Sequence, residues 1–171
     1  MLDLVFKNIT SEKEYGSQFF EKILVTGIKE LKLGNPAPSL SANRHSERVR
    51  AWSGASKSIE ISVNIVGDSK IKEMNSRYRH KNKVTDVLSF PLETKPVKNS
   101  EIWPLGDIFI CLSFAKKQAK SENVGIDKKL TQLTVHGFLH LLGYDHEKSD
   151  MKAKEMFDLE EKILSKISGR T

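Results

Sequence analysis

Residues 135–147, VHGFLHLLGYDHE, combine an apolar helical pattern, a glycine stop and three histidines. On a helical wheel, the positions flanking the histidines cover about half of the surface, which predicts a helix buried against other elements. His136 and His140 project together from the remaining face, about one turn apart. This stretch therefore puts a buried helix at the centre of the fold. The positions predicted to be buried are Leu130, Thr134, Val135, Phe138, Leu139, Leu141 and Leu142.

Gly143 and His146 extend the pattern beyond the helix. A glycine at this point can adopt the left-handed backbone that ends a helix, which lets the chain turn back and bring His146 towards His136 and His140. Three imidazoles at this spacing suit one Zn²⁺ ion per chain, although other divalent transition metals also accept imidazole ligands. Three protein ligands leave a fourth position for water, whose pKa zinc lowers to about 7. The alternative is two core histidines and an ordinary turn histidine.

The clearest strand pattern lies at residues 59–65, where isoleucines and a valine alternate with polar residues. Further strands are predicted at residues 2–6, 84–92 and 106–114. Helices are predicted from a capping box at Ser11 and Glu14 to about Leu33, from Asp68 to Tyr78, from Ala115 to Glu122, and around Met156, Leu159, Ile163 and Ile167.

These elements predict an α+β fold in a single domain that spans residues 1–171. A small mixed β-sheet of about four strands should pack with about five helices, with the histidine-bearing helix over the sheet. Residues 34–57 are rich in Gly, Pro, Ser and Asn, which is typical of a loop or an insertion.

Composition narrows the classes of protein. The single cysteine, Cys111, excludes an internal disulfide framework, and no segment has the length of a membrane span, so we expect a cytoplasmic protein without a membrane partner. The net charge of +6 favours a polyanionic partner but does not demand one. Arg77, Lys81 and Lys83 cluster in one stretch and are candidate phosphate contacts.

The histidine spacing also matches the HExxHxxGxxH pattern of metzincin proteases, with one departure. Gly137 stands where those proteases carry the glutamate that serves as general base. A zinc peptidase therefore remains an alternative, but one without its usual base.

Three blocks together resemble the YbeY family of metal-dependent endoribonucleases, the rRNA maturation factors. They are MNSRYRHKNKVTDVLSFP (74–91), LGDIFIC (105–111) and HGFLHLLGYDH (136–146). The resemblance implies zinc on His136, His140 and His146, and a conserved arginine beside it, which corresponds to Arg79. It also implies action on single-stranded RNA, with roles in small-subunit rRNA 3′-end maturation and ribosome quality control. The expected partners are rRNA, the small ribosomal subunit and its assembly factors.

Roles beyond the metal ligands follow from chemistry. Arg79 is the candidate catalytic residue, because a guanidinium can brace a scissile phosphate. Asp86 and Asp145 are candidates for accepting a proton or for orienting a histidine ring, and Asp145 can equally cap a turn. Either water or the RNA 2′-hydroxyl can be the nucleophile. Among the aromatic residues, Trp52, Tyr78 and Trp103 either stack on bases or pack inside. A non-catalytic ribosome assembly factor with a structural metal is the remaining alternative.

Overall fold

A four-stranded mixed sheet forms the framework of the computed structural model, which describes residues 1–31, 33, 56–92 and 100–169. The strands are β1 (Leu2–Asn8), β2 (Ser56–Val66), β3 (Val87–Pro91) and β4 (Ser100–Cys111). They lie in the order β1-β2-β4-β3. β2 pairs in parallel with both β1 and β4, and β3 pairs antiparallel with β4 at the edge of the sheet.

Five helices accompany these strands within the described residues, which confirms the predicted α+β fold. The helices are α1 (Ser17–Glu30), α2 (Asp68–Arg79), α3 (Leu112–Ser121), α4 (Ile126–Leu141) and α5 (Asp150–Ile167). The predicted loop or insertion at 34–57 lies outside the described residues, apart from the first two residues of β2.

The main core lies between the sheet and helices α1, α4 and α5. The predicted alternation in β2 is confirmed: Ile59, Ile61, Val63 and Ile65 are buried, and the polar residues between them are partly exposed. Every position that the helical wheel assigned to the buried side of α4 is buried as well. A smaller core forms around α2, where Ile71 and Met74 pack with Leu88.

Several predicted boundaries are wrong. Strand β4 begins at Ser100 and not at residue 106, and β3 spans Val87–Pro91 and not 84–92. Helix α1 begins at Ser17 after Gly16, not at a capping box of Ser11 and Glu14. Residues after β1 instead form a side-chain-bonded turn, in which Asn8 accepts from the Thr10 backbone and donates to the Glu12 carbonyl.

A further wrong boundary lies at the end of β4. This strand ends at Cys111, and the next three residues belong to α3 instead of extending the strand. The Ser113 hydroxyl donates to the Asp68 carboxylate at the start of α2, which ties these two helices together.

None of the described helices is both long enough and apolar enough to cross a membrane.

Candidate metal centre

The end of helix α4 sets the geometry of the site. Gly143 has a φ of 94°, so the predicted positive-φ residue is confirmed. The Gly143 N–H donates to the His140 carbonyl at 2.9 Å, and the Tyr144 N–H donates to the Leu139 carbonyl at 3.0 Å. This pair of bonds is a Schellman motif, which satisfies the last carbonyls of the helix and reverses the chain. The reversal carries His146 back to the helix.

The three predicted histidines meet at one point. One ring nitrogen from each of His136, His140 and His146 lies within 4.8 Å of the other two. The two helical histidines approach most closely, with 3.1 Å between their Nε2 atoms. Two neutral imidazoles can share that contact only as donor and acceptor, whereas one cation can take a lone pair from each of the three rings. The cluster therefore fits a metal ion.

Glu160 on α5 holds one ring of the cluster. Its Oε2 atom lies 3.1 Å from Nδ1 of His136, and both side chains are largely buried. A carboxylate on Nδ1 favours the tautomer that leaves Nε2 free as a ligand. Sequence reasoning missed Glu160, because it lies 24 positions from His136 on another helix and belongs to no local motif.

Burial also prepares His140 for ligation. Desolvation, followed by the charges of the neighbouring His136 and His146, lowers the pKa of His140 to about 4, against a hydrogen bond to the Tyr144 backbone and the charge of Asp145. The ring is therefore neutral near pH 7, and a metal can bind it without displacing a proton.

Arg79 ends helix α2 beside this cluster. His80 follows in the left-handed conformation, with a φ of 56°. The Nη2 atom of Arg79 donates to both carboxylate oxygens of Glu147, at 2.8 and 3.0 Å. This hydrogen bond, followed by the charge of Arg79, lowers the pKa of Glu147. The contact crosses 68 positions of sequence and was not predicted.

The histidines and Arg79 share one open cleft of about 630 Å³. Its wall includes strand β3 and the turn after α4. The cleft is lined by Tyr78, Arg79, Thr85, Asp86, Val87, Leu88, Ser89, Phe90, Pro91, His136, His140, Gly143, Tyr144, Asp145, His146, Glu147 and Lys148.

The two aspartates predicted to orient a histidine line this cleft but have other hydrogen-bond partners. Asp86 accepts from the Val87 backbone at 2.8 Å and from Gln118 at 3.0 Å. Asp145 accepts from the Glu147 backbone at 3.0 Å and pairs with Lys148. Among the described hydrogen bonds, none joins either carboxylate to a histidine. The role predicted for them stays a prediction.

The three cations predicted to contact phosphate are exposed at the end of α2 and in the loop behind it. Asn75 anchors this loop, because its backbone carbonyl accepts from the Lys81 N–H and its amide donates to the Lys83 carbonyl. The Arg77 guanidinium lies 5.5 Å from the centre of the Tyr78 ring. None of the three cations lines the cleft itself, but they stand within two residues in sequence of its lining residues Tyr78, Arg79 and Thr85.

Gly137 explains why this helix carries no glutamate between its two histidines. A Cβ atom at this position would lie 2.9 Å from Ile108 Cγ2 and 3.0 Å from Ser89 Oγ. Helix α4 therefore lies so close to β3 and β4 that residue 137 has no room for a side chain. The glutamate that a metzincin peptidase uses as its base has no place in this packing.

The fold and site define a small α+β protein with a three-histidine centre in an arginine-bordered cleft. Comparison with known families assigns it further. The family model described as Endoribonuclease YbeY matches residues 38–168, which is more than half of the chain, and the chain belongs to this family.

Individual relatives agree with this assignment. Endoribonuclease YbeY from Persephonella marina is 47% identical over 109 residues, which cover 64% of this chain and 71% of that protein. Endoribonuclease YbeY from Thermodesulfovibrio yellowstonii is 52% identical over 108 residues, which cover 63% of this chain and 66% of that protein. The solution structure of a Thermotoga maritima protein superposes with a TM-score of 0.57 at 26% identity, over 98% of this chain and 90% of that one.

Proposed function

We propose that this protein is a metal-dependent endoribonuclease that cuts single-stranded RNA during rRNA maturation. The observation that carries the proposal is the meeting of three histidine nitrogens within 4.8 Å, in the cleft that Arg79 borders, in a chain of the YbeY family. The specific task is small-subunit rRNA 3′-end maturation, together with ribosome quality control.

His136, His140 and His146 would hold the metal, with zinc as the first candidate. A bound zinc ion supplies positive charge and a water of lowered pKa. The protein prepares the site in advance: Glu160 fixes the tautomer of His136, and burial keeps His140 neutral. The three rings therefore present lone pairs without rearrangement.

Arg79 binds the scissile phosphate. Among the described contacts, its guanidinium uses only Nη2, so Nε and Nη1 can donate to a phosphate oxygen. Glu147 binds Nη2 of the guanidinium and thereby orients it within the cleft. As the phosphate gains negative charge during the reaction, these fixed donors stabilise that charge.

The surroundings of the site support an RNA substrate and a cytoplasmic location. Arg77, Lys81 and Lys83, which are exposed near the cleft residues in sequence, can contact phosphates on either side of the cut. Cys111 is buried and unpaired, as is common in reducing compartments. The proposed partners are rRNA, the small ribosomal subunit and its assembly factors.

The test compares wild type with His140→Ala, Arg79→Ala and Arg79→Lys on a single-stranded rRNA fragment, with metal content measured on each preparation. We expect His140→Ala to lose metal and cleavage together. Arg79→Ala should keep its metal and lose about 100-fold in kcat/KM, the usual cost of removing a donor to a developing charge. Arg79→Lys should recover only part of this loss, because lysine lacks the planar fork.

His80→Asn is the matched control, because asparagine tolerates the left-handed backbone of His80 and His80 does not line the cleft. It should keep both metal and cleavage. Cleavage that survives in His140→Ala would contradict the proposal. A non-catalytic assembly factor would be favoured if wild type cannot cut and His140→Ala loses metal, thermal stability and ribosome association together. Product ends with a 2′,3′-cyclic phosphate would identify the 2′-hydroxyl as nucleophile.

A further inference from the structure

Two aromatic side chains, Tyr78 and Phe157, are exposed in the described part of the chain. Tyr78 is 55% exposed and lines the cleft of the histidine cluster, whereas Phe157 is 50% exposed and stacks on His146 from outside that cleft. The other large apolar side chains with comparable exposure are aliphatic or methionine, and they are Met1, Val5, Ile9, Leu92, Ile102 and Met151. Aromatic rings bury more apolar area than other side chains, so an exposed ring on either side of the histidine cluster indicates a partner for its face.

Tyr78 precedes Arg79 and lines the same cleft. Its ring makes an edge contact with Phe90 of β3, with 5.0 Å between ring centres and 68° between ring planes. Phe90 in turn packs edge-on against Phe109 of β4. The tyrosine ring is thus braced by the sheet, and the Arg77 guanidinium lies over it at 5.5 Å from the ring centre, while the residue as a whole stays 55% exposed. A braced, open ring beside a phosphate-binding arginine is a platform for a flat ligand.

Phe157 lies on α5, next to a different ligand. Its ring stacks on His146 with 5.6 Å between centres and 25° between planes. One ring face is therefore covered by His146, and the exposed part of the side chain lines a second groove, together with Lys128, Thr131 and Glu161. Glu160, three residues further along α5, holds His136 from the same helix.

We propose that Tyr78 and Phe157 are stacking residues for unpaired nucleobases next to the cut phosphate, with one base on Tyr78 beside Arg79 and another on Phe157 beside His146. This inference rests on the proposed endoribonuclease function and adds the residues that select unpaired RNA. Bases inside a duplex are already stacked on both faces, so only splayed-out bases can reach these rings. Trp103 differs from Tyr78, because Trp103 is 2% exposed and packs in the core.

The test uses a short single-stranded RNA with one cut site, and a series in which one base near that site is removed. Tyr78→Leu and Phe157→Leu keep apolar bulk but lose the ring, and Tyr78→Phe and Phe157→Tyr keep the ring. Each leucine variant should raise KM about tenfold with kcat changed less than about threefold, since stacking contributes about that much per base. The ring-keeping variants should behave like wild type.

The abasic series supplies the decisive comparison. Removing the base that stacks on Tyr78 should raise the KM of wild type but not that of Tyr78→Leu, because the stacking is already lost. Met151→Ala, an exposed apolar residue on the same helix as Phe157, is the control and should leave KM unchanged. The inference would be overturned if the increases in KM from removing the base and from Tyr78→Leu added in full. It would also be overturned if the KM of the leucine variants stayed within about twofold of the wild-type value.

Two further readouts separate this inference from the function on which it rests. Metal content of Phe157→Leu must equal that of wild type; a loss would show that Phe157 supports His146 and would overturn its stacking role. Fluorescence of 2-aminopurine placed next to the cut site reports stacking without cleavage. If wild type fails to cut, the proposed function fails. If wild type cuts but 2-aminopurine is quenched equally by wild type and the leucine variants, only the stacking inference fails.

Discussion

A single backbone angle determines where the third histidine lies. Gly143 has a φ of 94°, which glycine adopts freely and other residues adopt at a cost of about 1–2 kcal/mol. The Schellman bonds of Gly143 and Tyr144 depend on that angle. His146 follows three residues later, so its position depends on the same turn.

Replacing Gly143 by alanine should therefore weaken folding and metal binding together. We expect Gly143→Ala to lower the free energy of unfolding by about 1–2 kcal/mol and to reduce metal affinity by displacing His146. Gly125 before α4 is the control, because its φ is −67° and a Cβ there meets nothing within 4 Å. Gly125→Ala should cost less than about 1 kcal/mol. Thermal unfolding and chelator competition measure both effects, and intact metal affinity in a destabilised Gly143→Ala would contradict the coupling.

The histidines were predictable because ligand spacing on a helix and a glycine stop are local features. The partners of the site residues were not, because they come from distant positions. Glu160 reaches His136 from another helix, and Glu147 reaches Arg79 across the cleft. From the sequence alone, a carboxylate at either position cannot be distinguished from an ordinary exposed charge on a helix or turn.

Helix α5 supports the site as well as closing the core. Its buried residues Met156 and Ile163 join the main core, and Lys162 pairs with Glu30 of α1. The same helix presents Glu160 to His136 and Phe157 to His146. The orientation of two histidines therefore depends on the docking of α5.

Removing the Glu160 carboxylate should loosen the metal without unfolding the protein. A carboxylate behind a ligating histidine is typically responsible for about 10- to 100-fold in metal affinity, and we expect a loss of this size in Glu160→Ala. Glu161→Ala, at the exposed neighbouring position on α5, should bind metal like wild type. Titration against a chromophoric chelator gives both affinities. Equal affinities for the two variants would show that Glu160 has no part in holding His136.

The helices and strands were predicted most accurately where burial and periodicity coincide. In α4 and β2 the apolar positions follow the helical or strand period, and each predicted buried position is buried. The prediction failed at Ser11 and Glu14, because Asn8 and Thr10 form a side-chain-bonded turn after β1 and the helix begins later. Local side-chain bonds of this kind compete with helix capping, and the sequence alone does not rank them.

The positions of the cations on the molecule matter as well as the net charge of +6. The cleft lies along β3 at one edge of the sheet, and the exposed cations at the end of α2 and in the following loop stand close in sequence to its lining residues Tyr78, Arg79 and Thr85. β1 forms the opposite edge of the sheet, where Lys7 is exposed. Binding to a polyanion should therefore depend on which lysine is removed, and not only on the net charge.

Salt dependence measures this directly. For single-stranded nucleic acid, the slope of log K against log salt concentration changes by about 0.7 for each phosphate neutralised. We expect Lys81→Ala and Lys83→Ala each to reduce the steepness by about that amount, and Lys7→Ala to leave it unchanged. Fluorescence anisotropy with a labelled single-stranded RNA over a salt series provides the slopes. Three identical slopes would exclude the α2 loop as the place where phosphates bind.

The tight contact at Gly137 has a consequence for the history of the chain. A glycine codon of the form GGA or GGG becomes a glutamate codon by one base change, and that change would write the peptidase sequence HExxH into this helix. The mutation needs only one base change, but the mutant protein does not fit this packing, because the Cβ atom of the new side chain would already lie 2.9 Å from Ile108. A protein with this architecture would have to move the helix away from the sheet before it could accept the catalytic glutamate. The two kinds of site therefore differ by one codon in sequence but by a change of packing in structure.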